Sequence, residues 1–197
     1  MAVRTLPRLR DVSAGPPRRQ IVPNSVFAML IFVGTEMMLF AGFISAFTIM
    51  RSSAVFWPPP NQPRLPIAET AFNTAVLLAS GVALFVARRA YRRGPDKLRK
   101  PFLAAMGLGA LFVLLQGREW ALLIAQGLTL QSSALGSFFY LIVGAHALHA
   151  ICALGVLVYA WRRLQHGWLP PSVMGAAEVF WYFVVGIWPV IYWRVYL

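Results

Sequence analysis

Acids and histidines are scarce in this sequence, and their positions limit the chemistry it could support. Of 197 residues, 6 are Asp or Glu and 3 are His. Four of the acids, Glu36, Glu69, Glu119 and Glu178, fall within or at the edge of long apolar stretches. A carboxylate in hydrocarbon is expensive, so each needs a partner, a proton or a function. His146 and His149 lie three residues apart, which puts them on one face of a helix. Ala150 and Ala153 continue that face, and small residues there let a neighbouring helix approach closely. Carboxyl and imidazole groups in such places either handle protons or act as interior hydrogen-bonders that hold helices together.

Metal chemistry asks for more than these residues offer. His166 lies in a polar connection, which leaves two histidines in apolar sequence. Rings three apart on one helix point the same way and cannot clamp a haem between them. A copper or di-iron centre needs further ligands, such as a Glu-x-x-His pair from each of two helices, and the sequence carries no such set. No catalytic or metal-ligating constellation is therefore expected. Cys152, the only cysteine, excludes a disulfide framework and is expected to be a small buried hydrophobe.

The elements that must position these groups follow from composition. Hydrophobic residues make up 59% and charged residues 12%, about half the charged share of an average soluble domain. The net charge of +12 would suit a nucleic-acid binder, but too little polar surface exists to build a basic face, so nucleic acid is not an expected partner. Five segments, about 26–50, 67–88, 101–127, 134–161 and 172–196, are long and apolar enough to cross a bilayer. Pro- and Gly-bearing breaks separate them, at 57–66, 92–101, 127–133 and 162–171. The interior must be helical, since an open sheet edge cannot survive in lipid and barrel alternation is missing.

The expected fold is thus all-α, a polytopic bundle of five transmembrane helices over 25–197, preceded by a flexible basic tail over 1–24. That tail lacks the look of a cleavable signal peptide. Fourteen of the 18 basic residues fall on one side. They are Arg4, Arg8, Arg10, Arg18 and Arg19 in the tail, Arg88, Arg89, Arg92, Arg93, Lys97, Arg99 and Lys100 in the second connection, and Arg162 and Arg163 in the fourth. The positive-inside rule makes that side cytoplasmic and places the N-terminus there, as in a bacterial inner membrane. Trp57, Trp120, Trp161, Trp168, Trp193 and Tyr196 sit near span ends and fit interfacial belts.

Within this frame Glu36 is the sharpest case. It lies about ten residues into its helix, roughly 15 Å deep at 1.5 Å per residue, near mid-bilayer. Its helical neighbours Phe32, Val33, Leu39, Phe40 and Phe43 offer no charge partner. It is expected to be protonated or paired with another helix, and His149, at a similar depth, is the candidate. Glu69 and Glu119 read as acids at the outer ends of the second and third spans, with Arg118 snorkelling to the interface. Glu178 enters a short way from the cytoplasmic side, and all three read as structural.

These segments together resemble subunit III of the haem–copper respiratory oxidases, in its five-helix form, from about Ser25 to the end. GTEMMLFAGFISAF (34–47) is similar to the family's Glu-bearing helix and sets its membrane glutamate on Glu36. WPPP (57–60) and ETAFNTAVLLASGVAL (69–84) match the next loop and helix, with Asn73 in place. FVLLQGREW (112–120) carries the family's Gln and Glu onto Gln116 and Glu119. GSFFYLIVGAHALHA (136–150) matches the His signature, at Gly144, His146, Leu148 and His149. One departure is the last helix, where Trp-His-Phe-Val-Asp is replaced by Trp181-Tyr182-Phe183-Val184-Val185. The longer, seven-helix form has a lipid-filled cleft flanked by its first two helices, which here would be incomplete or closed by another subunit.

The resemblance implies a non-catalytic integral membrane subunit that packs on the catalytic subunit, subunit I, and on other oxidase subunits of an aerobic respiratory chain. Haem and copper are expected in that partner, with no cofactor held by this chain. It implies support of proton uptake and of complex stability, with Glu36 as a proton-linked or structural carboxyl. His146, His149, Glu119, Gln116 and Asn73 are implied as interior polar partners. Arg162 matches a basic residue that faces phospholipid headgroups, so membrane lipid is an implied partner too. An accessory protein of nitric oxide reductase shares the Glu helix and the His pair and is the alternative. A small proton-coupled transporter is a more distant one, since five spans do not divide into equal inverted halves.

Overall fold

The computed structural model describes residues 22–57, 63–167 and 169–197. Most of the expected tail, the Pro-rich stretch 58–62 and Trp168 lie outside the described residues. Five helices run in order: α1 (Asn24–Ser53), α2 (Ile67–Tyr91), α3 (Pro95–Ala125), α4 (Ala134–Gln165) and α5 (Pro171–Ile191). Tyr192–Tyr196 continues α5 as a π-helical turn, three residues after Pro189. All five helices are long and apolar enough to span a membrane, and no strand occurs among the described residues. The expected five-helix all-α architecture is therefore present.

One boundary differs from the sequence expectation. The segment 92–101 was expected to be a connection, but α3 already starts at Pro95 and runs through Pro101. Pro95 occupies the first helical position, where its missing N–H costs nothing. Lys97, Arg99 and Lys100 then form charged turns that carry the helix beyond the hydrocarbon. Hydropathy marks where a helix leaves lipid, not where it ends.

Other ends are set by local chemistry. Ser133 caps α4 by accepting from the Gly136 N–H at 3.0 Å. Gly127, at φ +92°, closes α3 in a left-handed conformation that favours glycine. Leu128 N–H donates to Leu123 O and Gly127 N–H to Ile124 O, both at 3.0 Å, which is a Schellman closure. Leu128 and Leu123 are both buried beneath it.

Helix α5 is the hub, packing against α1, α2 and α4, while α3 packs on α2 and α4. Trp181, Val184, Trp188 and Ile191 of α5 are wholly buried. Lipid is as apolar as these side chains, so close packing and interhelical hydrogen bonds must hold the bundle together. The Trp181 indole donates to Ser80 Oγ at 3.0 Å, and Ser80 donates to Ala105 O at 2.8 Å, tying α5, α2 and α3. Trp188 donates to Thr74 Oγ1 at 2.9 Å. Gly109 of α3 lies against the Trp181 ring, where an added Cβ would come within 2.5 Å of it. By contrast, α1 is peripheral: only Phe40 and Phe47 are buried, while Phe27, Met37 and Met38 face outward. Cys152 also faces outward, so the expectation of a buried thiol is corrected. Its neighbours on α4 bury one stripe only, and Cys152 falls outside it.

Candidate functional site

The groups singled out by the sequence separate into an α1–α4 pair, a buried α2–α3 cluster and two surface or edge contacts. Glu36 of α1 and His149 of α4 meet through Oε2 and Nε2 at 2.9 Å. Depth alone had suggested this contact, and it is present. The His149 Nδ1 lies 2.7 Å from Ala145 O. A carbonyl can only accept, so Nδ1 carries the proton. The Nε2–Oε2 line then holds one further proton, on the carboxyl with a neutral imidazole or on the imidazole with a carboxylate. In both arrangements the pair is neutral overall, which suits a site in lipid.

Aromatic rings enclose this pair. Phe40 and Phe183 have ring centroids 5.5 and 5.8 Å from His149, and Phe180 and Phe32 follow at 6.3 and 6.4 Å. The side chains of His149 and Glu36 keep 12% and 18% exposure, so the pair is screened but not sealed.

His146 does not join this pair. It is buried at 1% exposure, with its ring 4.7 Å from Trp188 and 6.0 Å from Phe112. Three residues of helix turn it towards α3 and α5, whereas His149 faces α1. The two histidines therefore share a helix face only broadly and have different surroundings.

Glu119, near the outer end of its span and implied by the resemblance as an interior polar partner, is 2% exposed and bonded inside the bundle. Thr70 Oγ1 lies 2.8 Å from its Oε1, and Asn73 Nδ2 donates to its Oε2 at 3.4 Å. Thr70 Oγ1 is also 2.9 Å from Pro66 O, so one hydroxyl proton faces two acceptors. A protonated Glu119 donating to Thr70, which donates to Pro66, satisfies both. Gln116 Nε2 donates to the Tyr196 hydroxyl at 3.2 Å, and Tyr196 also interacts with the Glu119 carboxyl. Tyr196 had been placed in an interfacial belt, yet it is 5% exposed and closes this cluster from the π-helical turn. Sequence reasoning missed both Tyr196 and Thr70, because a terminal Tyr and a helix-start Thr look like ordinary edge residues.

The remaining groups are simpler. Arg88 Nη1 of α2 pairs with Glu178 Oε2 of α5 at 3.4 Å, so the structural reading of Glu178 has a partner. Arg118 and Glu69 approach at 3.7 Å but are largely exposed, and such pairs contribute little. Arg162 lies exposed in the last turn of α4. Val185 is buried beside Gly81, and Tyr182 is partly exposed, at the two positions that depart from the resembled pattern. Among the described residues, no group of three or more His, Cys, Asp or Glu converges as a metal site would require.

These features define a class: a multi-pass integral membrane protein whose polar chemistry is confined to small interhelical clusters. Comparison with known proteins narrows it. The family model for cytochrome c oxidase subunit III matches residues 18–197, and the chain belongs to that family. A probable cytochrome c oxidase subunit 3 of Nocardia farcinica is 34% identical over 173 residues, covering 84% of each chain. The cytochrome c oxidase subunit 3 of Synechocystis is 32% identical over 87% of this chain and 75% of its own length. That of Pelomedusa subrufa is also 32% identical, over 88% and 69%. The chain is thus a non-catalytic subunit III of a haem–copper oxidase, and it works in a complex with other oxidase subunits.

Proposed function

We propose that this chain supports proton delivery to a catalytic subunit I and keeps that subunit intact during turnover, with the Glu36–His149 pair as its proton-linked element. The observation that carries the reading is the 2.9 Å contact whose donor pattern leaves one mobile proton in a neutral pair. The shared proton can move between the two side chains without changing the pair's net charge, so the site holds a titratable proton in hydrocarbon without an isolated carboxylate. Haem and copper belong, by this reading, to the partner subunit. The outward face of α1, rich in Phe and Met, supports packing against that partner or its lipid. The clustered arginines support a cytoplasmic N-terminus, and Arg162 at the basic end of α4 suits an anionic lipid headgroup.

Replacement of Glu36 by Gln in the intact complex tests the role. Gln keeps size and hydrogen bonding but removes the titratable proton. The expected result is near-normal initial turnover with a lifetime under continuous turnover shortened several-fold. Unchanged turnover and unchanged lifetime would remove Glu36 from proton handling.

A further inference from the structure

Basic residues are rare at the end of the bundle opposite the arginine-rich connections. Those that lie there are Arg51, Arg64, Arg118 and Arg194. Arg118 pairs with Glu69 at 3.7 Å, and the other three converge on two adjoining cavities. One, of about 310 Å³, opens between Arg51, Trp57, Arg64 and Leu197. The second, of about 560 Å³, lies between Thr48, Arg51 and Ser52 of α1 and Trp193, Arg194 and Leu197. Arg51, Trp57 and Leu197 border both, and among the described residues no Asp or Glu lines either.

Arg51 is held in place between the two. Its Nη2 donates to Leu197 O at 3.1 Å and its Nη1 to Arg194 O at 3.5 Å, and its head lies over the Trp57 ring, 5.6 Å from the centroid. A guanidinium has more N–H donors than these contacts use. A carboxylate at Leu197 would balance one of the three cations at most. Cations gathered with no side-chain acid among them repel one another, so the arrangement calls for an anion. Guanidinium forks match the oxygens of a phosphate.

The surroundings identify the kind of phosphate. Trp57 and Trp193 are residues of the membrane interface, and Arg194 lies over the Trp193 ring at 4.9 Å. The α1 wall of the second cavity runs on into the exposed face at Ile49, Ser45 and Met38, one stripe of the helix. A free anion would use only the arginines, whereas a phosphate that carries acyl chains uses both surfaces. We propose that these cavities seat the headgroup of an anionic phospholipid in the leaflet at this end, with Arg51 at the centre, Arg64 and Arg194 on either side and an acyl chain along α1. The site lies at the opposite end of the bundle from Arg162, and it does not depend on a proton role for Glu36.

Electron cryomicroscopy of the intact oxidase complex in nanodiscs of phosphatidylglycerol, in phosphate-free buffer, tests it. The expected map has a phosphate within hydrogen-bond distance of Arg51, with a tail continuing along α1. In nanodiscs of phosphatidylcholine, whose headgroup carries its own cation, that density should weaken several-fold. The double variant Arg64→Gln, Arg194→Gln leaves the backbone contacts of Arg51 in place and should lower the lipid's occupancy several-fold in an assembled complex. Arg118→Gln should leave it unchanged. Equal density in the double variant or in phosphatidylcholine would overturn the proposal, as would protein density filling both cavities. So would a compact peak without tails that appears only when inorganic phosphate is added, which would mark a site for free anions.

Discussion

A carboxyl and an imidazole 2.9 Å apart in hydrocarbon make a unit whose net charge is unchanged by moving the shared proton. Removing one partner leaves the other needing water or a new proton balance, and that is the cost a double-mutant cycle measures. Glu36→Gln, His149→Phe and the double variant should give a coupling of about 1–2 kcal/mol in unfolding of the complex, at the upper end of measured intramembrane hydrogen bonds. Coupling within experimental error would mean that the two side chains stand near each other without interacting. This pair was legible in the sequence because both residues sit deep in apolar runs, where depth restricts the choice of partner. The Glu119 cluster was legible only in part, since the resemblance implied Glu119, Gln116 and Asn73 as interior partners but neither Thr70 nor Tyr196. Its acid lies near a span end, and its partners Thr70 and Tyr196 come from distant positions that only the packing of α2, α3 and the π-helical turn brings together.

At the scale of elements, the spans were readable because hydropathy reports lipid contact directly, whereas the order of packing was not. Helix α5 is central and α1 peripheral although both are strongly apolar, since lipid and protein neighbours select similar residues. The signal that distinguishes them is small residues opposite large ones, as at Gly109 against Trp181. Gly109→Ala should therefore destabilise the bundle by about 1–3 kcal/mol through overpacking. Gly107→Ala, two residues away, meets nothing within 4 Å and should be neutral or mildly stabilising through helix propensity. Thermal unfolding of the two variants in the complex distinguishes these outcomes, and equal effects would contradict the close α3–α5 approach. The extension of α3 through Pro101 shows the complementary limit, because charged turns outside the hydrocarbon carry no hydropathy signal.

The whole molecule is a five-helix subunit III with its polar chemistry confined to interhelical clusters, and in the proposed function the redox chemistry lies in the partner subunits. Three of the six acids fall at helix contacts: Glu36 between α1 and α4, Glu119 between α3 and α2, Glu178 between α5 and α2. Purification through an affinity tag on this chain, followed by haem and metal analysis, tests that division of labour most directly. The prediction is haem and copper co-purifying in fixed ratio to the chain, and lost together when the partner subunits are stripped away while the chain stays folded. Non-haem iron in place of copper, or haem retained by the stripped chain, would contradict it.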